Sequence, residues 1–249
     1  MSIKIYKFRE QTPGEFNNGA ILENRPIVLT DDGGGLQPYS NIFYWSHAWS
    51  DKGSTIGEHP HRAFEILSFV LKGSIEHYDS KNRKWIPLKS GDVQIIRSGS
   101  GITHSEKINP GSEMFQIWFD PDLNKTISAP ASYNDYPAGS FPVKDKNGFA
   151  VKTYTEGGAN FELVAPGINI KEISFNAGEH AIPVSKDKIL SAYIIEGKIN
   201  IGGEDLGAND FFTANDDADI SFTASENGKI FIIESPETVP YKTYAERYR

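Results

Sequence analysis

Apolar and β-branched residues in this chain come in short segments that turn residues separate. The segments at 42–49, 65–71, 93–96 and 114–119 are rich in isoleucine, phenylalanine, valine and tryptophan. Glycine, serine, asparagine and aspartate interrupt the pattern every few residues, as at Lys89-Ser90-Gly91-Asp92. Segments of strand length with turns at short intervals predict an all-β sandwich or barrel.

The alternation of residues from 59 to 71 predicts how one strand faces the interior of such a barrel. If this segment is one continuous strand, its odd positions share a face, because side chains alternate along a strand. That face is polar at its start and apolar at its end: His59, His61, Ala63, Glu65, Leu67, Phe69 and Leu71. We expect it to line a small barrel, with a site toward the mouth and packed side chains beneath.

The second half of the chain repeats features of the first. Phe69–Ile75 resembles Tyr193–Ile199, with a glycine at the same place in both. Farther along, Ser90–Val93 resembles Ala208–Phe211. Such self-similarity predicts the duplication of one barrel.

The length of 249 residues is sufficient for two domains of this kind. A connector punctuated by Pro130, Pro137 and Pro142 separates the two copies. We therefore place the boundary near residue 135. This gives an N-terminal domain of residues 1–135 and a C-terminal domain of residues 136–249.

The net charge of −8 and the absence of cysteine argue against nucleic-acid binding and against thiolate metal sites. Without a basic surface, direct binding to the phosphate backbone of nucleic acids is not expected. Without thiolates, a bound metal must be held by nitrogen and oxygen atoms. Residues 1–7 alternate between polar and apolar, unlike a signal peptide, and no apolar run reaches membrane-spanning length. We expect a cytoplasmic protein without membrane attachment.

Two pairs of polar residues have the spacing of metal ligands on strands. His59 and His61 form one pair, and His104 and Glu106 form the other. Residues two apart project from the same face of a strand, so two neighbouring strands would bring all four groups to one point. Imidazole and carboxylate together suit a divalent transition metal. The simpler alternative is that the histidines are exposed or hydrogen-bonded without a metal.

The corresponding positions of the second copy lack ligands. The ligand pairs align there with Pro183, Ser185, Phe222 and Ala224, and His180 lies nearby without a partner motif. We therefore expect a metal-free second barrel with a structural or pocket-covering role. In the first copy, His47 and His77 also lack a partner motif, and we expect them to form hydrogen bonds or a wall.

Several motifs of the first half resemble the pirin family of the cupin superfamily. They are His59–Glu65 (His-Pro-His-Arg-Ala-Phe-Glu), Glu76–Ser80, Gly91–Gln94 and Gly101–Glu106. The resemblance is strong over residues 40–120. The chain departs from the family motif at Ala63, where a glycine is usual; we interpret this as a tolerated change on a strand.

The resemblance implies a fold of two tandem cupin (jelly-roll) β-barrels with one metal ion in the N-terminal barrel. His59, His61, His104 and Glu106 match the metal-binding positions of the family. Iron is the first candidate for the metal, with nickel, cobalt, manganese, copper and zinc as alternatives. Glu65 matches a glutamate that is a ligand in many other cupins, and we expect it near the ligands.

Some pirin-like proteins are associated with quercetin 2,3-dioxygenase activity, which predicts dioxygen and a small aromatic substrate. Glu106 would then act as general base as well as ligand. Phe69, Phe115 and Trp118 are the expected aromatic walls. A first alternative is a non-enzymatic, metal-dependent regulatory or redox-sensing protein that acts through a protein partner, as eukaryotic pirins act with transcription regulators. A second is a dioxygenase or isomerase acting on another small phenolic compound.

Overall fold

The computed structural model describes residues 2–32, 34–155, 161–215 and 219–247. The chain divides into two compact units. The N-terminal barrel comprises Gln11–Ser140 together with Pro240–Arg249, and the C-terminal barrel comprises Met1–Glu10 together with Phe141–Val239. No helix among the described residues is long and apolar enough to cross a membrane.

The elements up to residue 140 are almost entirely strands. In chain order they are β1 Ser2–Tyr6, β2 Thr12–Phe16, β3 Ile21–Ile27, β4 Ile42–Ser50, β5 Ser54–His61, β6 Glu65–Lys72, β7 Ser74–Asp79, β8 Trp85–Lys89, β9 Val93–Arg97, β10 Ile102–Ile108, β11 Ser112–Phe119, the short helix α1 Leu123–Thr126 and β12 Ser132–Tyr136. Short 3-10 turns occur at Phe8–Glu10, Thr30–Asp32 and Ala138–Ser140.

The remaining residues continue the same pattern. They form β13 Val143–Lys146, β14 Phe149–Thr153, β15 Asn169–Phe175, β16 Gly178–Ile182, β17 Lys188–Glu196, β18 Ile199–Ile201, β19 Glu204–Leu206, β20 Phe211–Asn215, β21 Ile220–Ala224, β22 Gly228–Pro236 and the short helix α2 Tyr244–Arg247.

The N-terminal barrel consists of two antiparallel sheets with a shared core. Seven strands follow the order β12-β9-β6-β11-β4-β3-β2, and four follow the order β5-β10-β7-β8. Val70 and Met114 from the larger sheet pack with Ile75, Leu88 and Ile108 from the smaller one. Burying these apolar side chains between two sheets stabilises this end of the barrel.

The C-terminal barrel repeats this arrangement strand for strand. Its sheets have the orders β1-β20-β17-β22-β15-β14-β13 and β16-β21-β18-β19. Its core likewise joins both sheets, with Leu190 and Ile232 against Ile199, Leu206 and Ile220. The structure therefore confirms the predicted all-β class with two tandem jelly-roll barrels.

Each barrel includes a segment from the far end of the chain: β1 belongs to the C-terminal barrel, and α2 belongs to the N-terminal barrel. Strand β1 pairs with β20, from Ser2 opposite Asn215 to Tyr6 opposite Phe211. In the N-terminal barrel, the ring of Tyr244 stacks on Phe43 with centroids 4.6 Å apart. The units thus differ from the two continuous sequence domains expected above, because pairing with a distant strand leaves no mark in the local alternation of residues.

Residues 59–71 do not form the single strand that the alternation predicted. Strand β5 ends at His61, β6 begins at Glu65, and Ala63 between them has φ of 78°. A positive φ favours glycine, so Ala63 occupies a turn position and not the strand position assumed above. The turn carries the chain from the four-stranded to the seven-stranded sheet. The odd positions after it therefore do not continue the face of His59 and His61.

Candidate metal centre

Three histidines from two neighbouring strands meet in the N-terminal barrel. His59 and His61 stand at the end of β5, and His104 on β10 lies directly opposite His59 in the antiparallel pair. Their ring centroids are 4.4 to 4.8 Å apart. One ring nitrogen from each lies within 4.8 Å of the others. The predicted His-x-His pair and the histidine of the second pair thus converge as expected.

The protonation of these rings suits metal binding. Burial, together with the nearby His104 and His59, lowers the pKa of His61 to about 3. Burial also holds the pKa of His104 well below its usual range, with His59 and His77 contributing. Since both rings are neutral near pH 7, each keeps a nitrogen lone pair for a cation.

The hydrogen bonds around the rings direct these lone pairs inward. His59 Nδ1 lies 2.8 Å from the carbonyl oxygen of Gly57. That contact requires a proton on Nδ1 and leaves the lone pair on Nε2, which lies 2.9 Å from His104 Nε2. His61 Nε2 is buried and has no hydrogen-bond partner among the described residues. An unpartnered buried nitrogen beside two facing Nε2 atoms fits a bound divalent metal.

Glu106 lies beside the histidines but outside their group. It is 3% exposed. Gln116 Nε2 donates to both of its carboxylate oxygens at 2.6 and 2.7 Å, and Ser68 Oγ donates to one of them at 3.4 Å. A β-bulge between His104 and Glu106 shifts the register against β5. The structure thus gathers three of the four predicted ligands and engages the fourth in hydrogen bonds with Gln116.

Gln116 is the functional residue that the sequence analysis missed. Its side-chain oxygen accepts a hydrogen bond from Trp118 Nε1 at 3.1 Å. This fixes the amide so that its NH₂ group faces Glu106. Position 116 carried a recognisable cue, because a polar residue interrupts the apolar run Met114–Phe119.

His77 and Asp79 form a buried pair on the strand next to His104. Asp79 lies opposite His104 and His77 lies opposite Glu106, and neither is exposed to solvent. His77 Nε2 contacts Asp79 Oδ2 at 3.1 Å, and the His77 ring stacks on Tyr133. The hydrogen-bonding role expected for His77 agrees with this contact. Its spacing to Asp79 is the same two-residue step as in the ligand pairs.

Trp118 and Phe64 provide an aromatic wall beside the histidines. The His61 ring lies 5.1 Å from Trp118 and 5.3 Å from Phe64. Trp118 pairs with Ile66 of β6, and its side chain projects from the same face of β11 as that of Gln116. The expectation for Trp118 therefore agrees with the structure, whereas Phe64 was not singled out.

The other two expected walls lie on the opposite face of the seven-stranded sheet. Phe115 pairs with Phe69 there, one residue away from the Gln116–Ser68 pair that contacts Glu106. Because side chains alternate, neither phenylalanine faces the histidines. Their assignment as walls was wrong. For Phe69 the error followed from treating residues 59–71 as one strand, and for Phe115 from choosing aromatic residues of β11 without regard to its two faces.

By the same alternation, the side chains of Glu65 and His47 face away from the histidines. Glu65 shares the face of Phe69, is 1% exposed, and lies 3.6 Å from Arg97 Nε. His47 pairs with Phe115 and contacts Glu113 at 3.4 Å. The expected place of Glu65 near the ligands was therefore wrong. After the turn at Ala63, the odd-numbered side chains no longer project from the face that carries His59 and His61.

The equivalent end of the C-terminal barrel contains aromatic rings. Phe222 stacks on His180 with centroids 5.3 Å apart, and Phe149 and Phe175 also contact this histidine. His180 Nε2 contacts the carbonyl oxygen of Asn176 at 2.8 Å. Within the described residues, the group formed by His59, His61 and His104 is the only one with the geometry of a metal site.

Comparison with known proteins adds three findings. The Pirin family profile matches residues 37–119. A Pseudomonas aeruginosa protein with the provisional name quercetin 2,3-dioxygenase is 30% identical over 208 residues, which is 80% of this chain and 84% of that protein. A Caulobacter vibrioides protein named pirin-like is 30% identical over 185 residues, or 71% and 75% of the two chains.

The fold resembles that of a bacterial pirin from Escherichia coli crystallised in complex with nickel(II). The TM-score is 0.78 at 19% identity, covering 95% of this chain and all of that one. At this identity the likeness concerns the fold.

Proposed function

Since this chain belongs to the pirin family, we propose that it is a metal-dependent dioxygenase that cleaves flavonols such as quercetin. The observation that carries the proposal is the group of three histidines, together with the buried carboxylate of Glu106 and the ring of Trp118. The provisional name of the Pseudomonas relative supports the choice of substrate.

His59, His61 and His104 would hold the metal ion, with Glu106 as the fourth ligand. A divalent transition metal supplies Lewis acidity that lowers the pKa of a bound flavonol 3-hydroxyl. Glu106 follows His104 by two residues on β10, and as fourth ligand it would still accept a hydrogen bond from Gln116. Iron remains the first candidate, and nickel, cobalt, manganese, copper and zinc accept the same donors.

The residues of the chain have separate tasks in this reaction. Trp118 and Phe64 offer flat apolar surfaces on which flavonol rings can pack. Glu106 accepts the proton of the 3-hydroxyl, since a carboxylate in a nearly dry environment is an effective base for it. Dioxygen then opens the central ring of the flavonolate with loss of carbon monoxide.

Dioxygen uptake tests the proposal. Protein loaded in turn with iron, nickel, cobalt, manganese or copper is mixed with a flavonol panel in an oxygen-electrode cell. We expect uptake with at least one metal and no uptake with flavones, which lack the 3-hydroxyl. If no combination consumes dioxygen, the dioxygenase proposal fails and a regulatory metal-binding role becomes the better account.

Replacing Gln116 by leucine should destabilise the metal-free protein by about 1–3 kcal/mol, because it leaves the buried carboxylate of Glu106 without its main donor. Metal should restore much of this loss, since the ion then neutralises the carboxylate. Urea unfolding with and without nickel(II) measures both effects. Gln94→Leu is the matched control, because Gln94 is buried and donates to Tyr133 instead. Equal metal effects in both variants would contradict the role of Gln116.

Removing the metal should leave both barrels folded. The apolar contacts around Val70 and Met114 in one barrel, and around Leu190 and Ile232 in the other, are made by side chains other than the histidines and persist without the metal. We expect the far-ultraviolet circular dichroism spectrum to be unchanged by chelator, with a lower unfolding midpoint. A spectrum of unfolded chain after chelation would show that the site is structural.

A further inference from the structure

The C-terminal barrel contains a pocket that the proposed reaction does not use. It lies on the inner face of the barrel, where Phe149, Ile173 and Ile182 of the core reach its lining and Val151 packs against them. Its volume is about 130 Å³. An engineered cavity of roughly 150 Å³ in another protein binds benzene, so this space suits a single ring or a short branched hydrocarbon.

An ion pair between a partly exposed lysine and a buried glutamate forms the polar end of this pocket. Lys171 Nζ lies 3.1 Å from Glu234 Oε2, and Glu234 is 2% exposed. The other oxygen of Glu234 accepts hydrogen bonds from Ser185, from its backbone N–H at 3.1 Å and its hydroxyl at 2.7 Å. Both oxygens of Glu234 thus have partners within the protein. The ammonium of Lys171 has three N–H donors, and the contact with Glu234 uses one of them.

The charges of the lining favour an anion. Lys146 and Lys171 both line the pocket, against Glu234 as the one acidic group among its described residues. This positive excess stands out in a chain with a net charge of −8. A carboxylate placed here would receive charge-assisted hydrogen bonds while its apolar body contacts Val151 and Ile173.

The position of the pocket has a parallel in the N-terminal barrel. Strands β14, β15 and β22 occupy the places in their sheet that β3, β4 and β11 occupy in the other. Strand β11 carries Trp118, which forms the aromatic wall at the histidines. The C-terminal barrel, which lacks the histidine group, therefore has its pocket on the strands that correspond to β3, β4 and β11.

We propose that the C-terminal barrel binds a small carboxylic acid with a single-ring or branched hydrocarbon body in this pocket. The acid's carboxylate contacts Lys171 and Lys146, and its body fills the space between Val151, Ile173 and Phe149. The inference is independent of the flavonol reaction, because every residue it uses lies in the barrel without the histidine group.

Ligand-observed NMR titration with benzoate tests this inference on the intact, chelator-treated chain. We expect saturable binding with a dissociation constant of about 1 mM or lower, and about tenfold weaker binding of benzyl alcohol. His61→Ala should bind benzoate as the parent chain does. Benzoate that does not saturate, or that loses its site in His61→Ala, would overturn the proposal.

Two variants locate the site. Val151→Phe fills the pocket and should abolish binding of both probes, with thermal unfolding as the check on folding. Lys146→Met, at an exposed position, should weaken benzoate about threefold and leave benzyl alcohol unchanged. Lys198→Met is the matched control, since it removes the same charge from an exposed turn of this barrel outside the pocket lining. Equal weakening in Lys146→Met and Lys198→Met would place benzoate elsewhere.

Discussion

Flavonol turnover should fall by a factor of about 100 or more when Glu106 is replaced by glutamine, with most of the metal retained. Glutamine keeps the size of the side chain and one oxygen donor but cannot accept the 3-hydroxyl proton. Burial strengthens the effect, because Glu106 is 3% exposed and bulk water has little access to replace it. The measurement is dioxygen uptake per metal-loaded chain, with metal quantified in the same sample.

The control for this variant is Glu113→Gln. Glu113 lies on β11, where it contacts His47 and Lys72 and has no part in the histidine group. We expect turnover close to that of the parent. If Glu106→Gln with equal metal turns over normally, Glu106 is not the base, and the proton must be accepted by another group.

Replacing His61 by alanine should reduce bound metal from one equivalent per chain to below about one tenth after dialysis. The change removes one of the three histidine nitrogens, and it leaves two histidines and Glu106 to hold the ion. Elemental analysis of the purified chain gives the number directly. The same replacement at His180 should leave the metal content unchanged, because that histidine lies among phenylalanine rings in the other barrel.

Two results would contradict this assignment. Undiminished metal in His61→Ala would place the ion elsewhere. Two tightly held equivalents in the parent chain would show that the C-terminal barrel also binds metal, although His180 lies among phenylalanine rings there.

The residue pattern was sufficient to predict the β class, the duplication and the convergence of the histidines. Each depends on local features: strand-length segments, a repeated glycine motif, and two-residue spacing on strands that pair directly. His104 lies opposite His59 because β5 and β10 are neighbouring antiparallel strands, an arrangement that the prediction assumed.

The prediction of which side chains face the site failed after Ala63, where the chain turns from one sheet to the other. A positive φ at Ala63 ends β5 and reverses the alternation that follows. This single turn accounts for the wrong placement of Glu65 and Phe69. Alanine gives no local sign of such a turn, whereas a glycine would have indicated one.

The interaction between Gln116 and Glu106 could not be predicted for a different reason. These residues lie on different sheets of the barrel, β11 and β10, so their contact depends on how the sheets face each other. The pairing of β1 with β20 is equally long-range. Hydrophobic periodicity describes one strand at a time and contains no information about either contact.

Carbon monoxide release tests the central claim most directly. Metal-loaded protein is mixed with quercetin and a known amount of dioxygen, and the gas phase is analysed for carbon monoxide. We predict one carbon monoxide for each dioxygen consumed by the parent chain and none from His61→Ala. Dioxygen consumption without carbon monoxide, or equal release from the metal-free variant, would contradict flavonol cleavage at the histidine site.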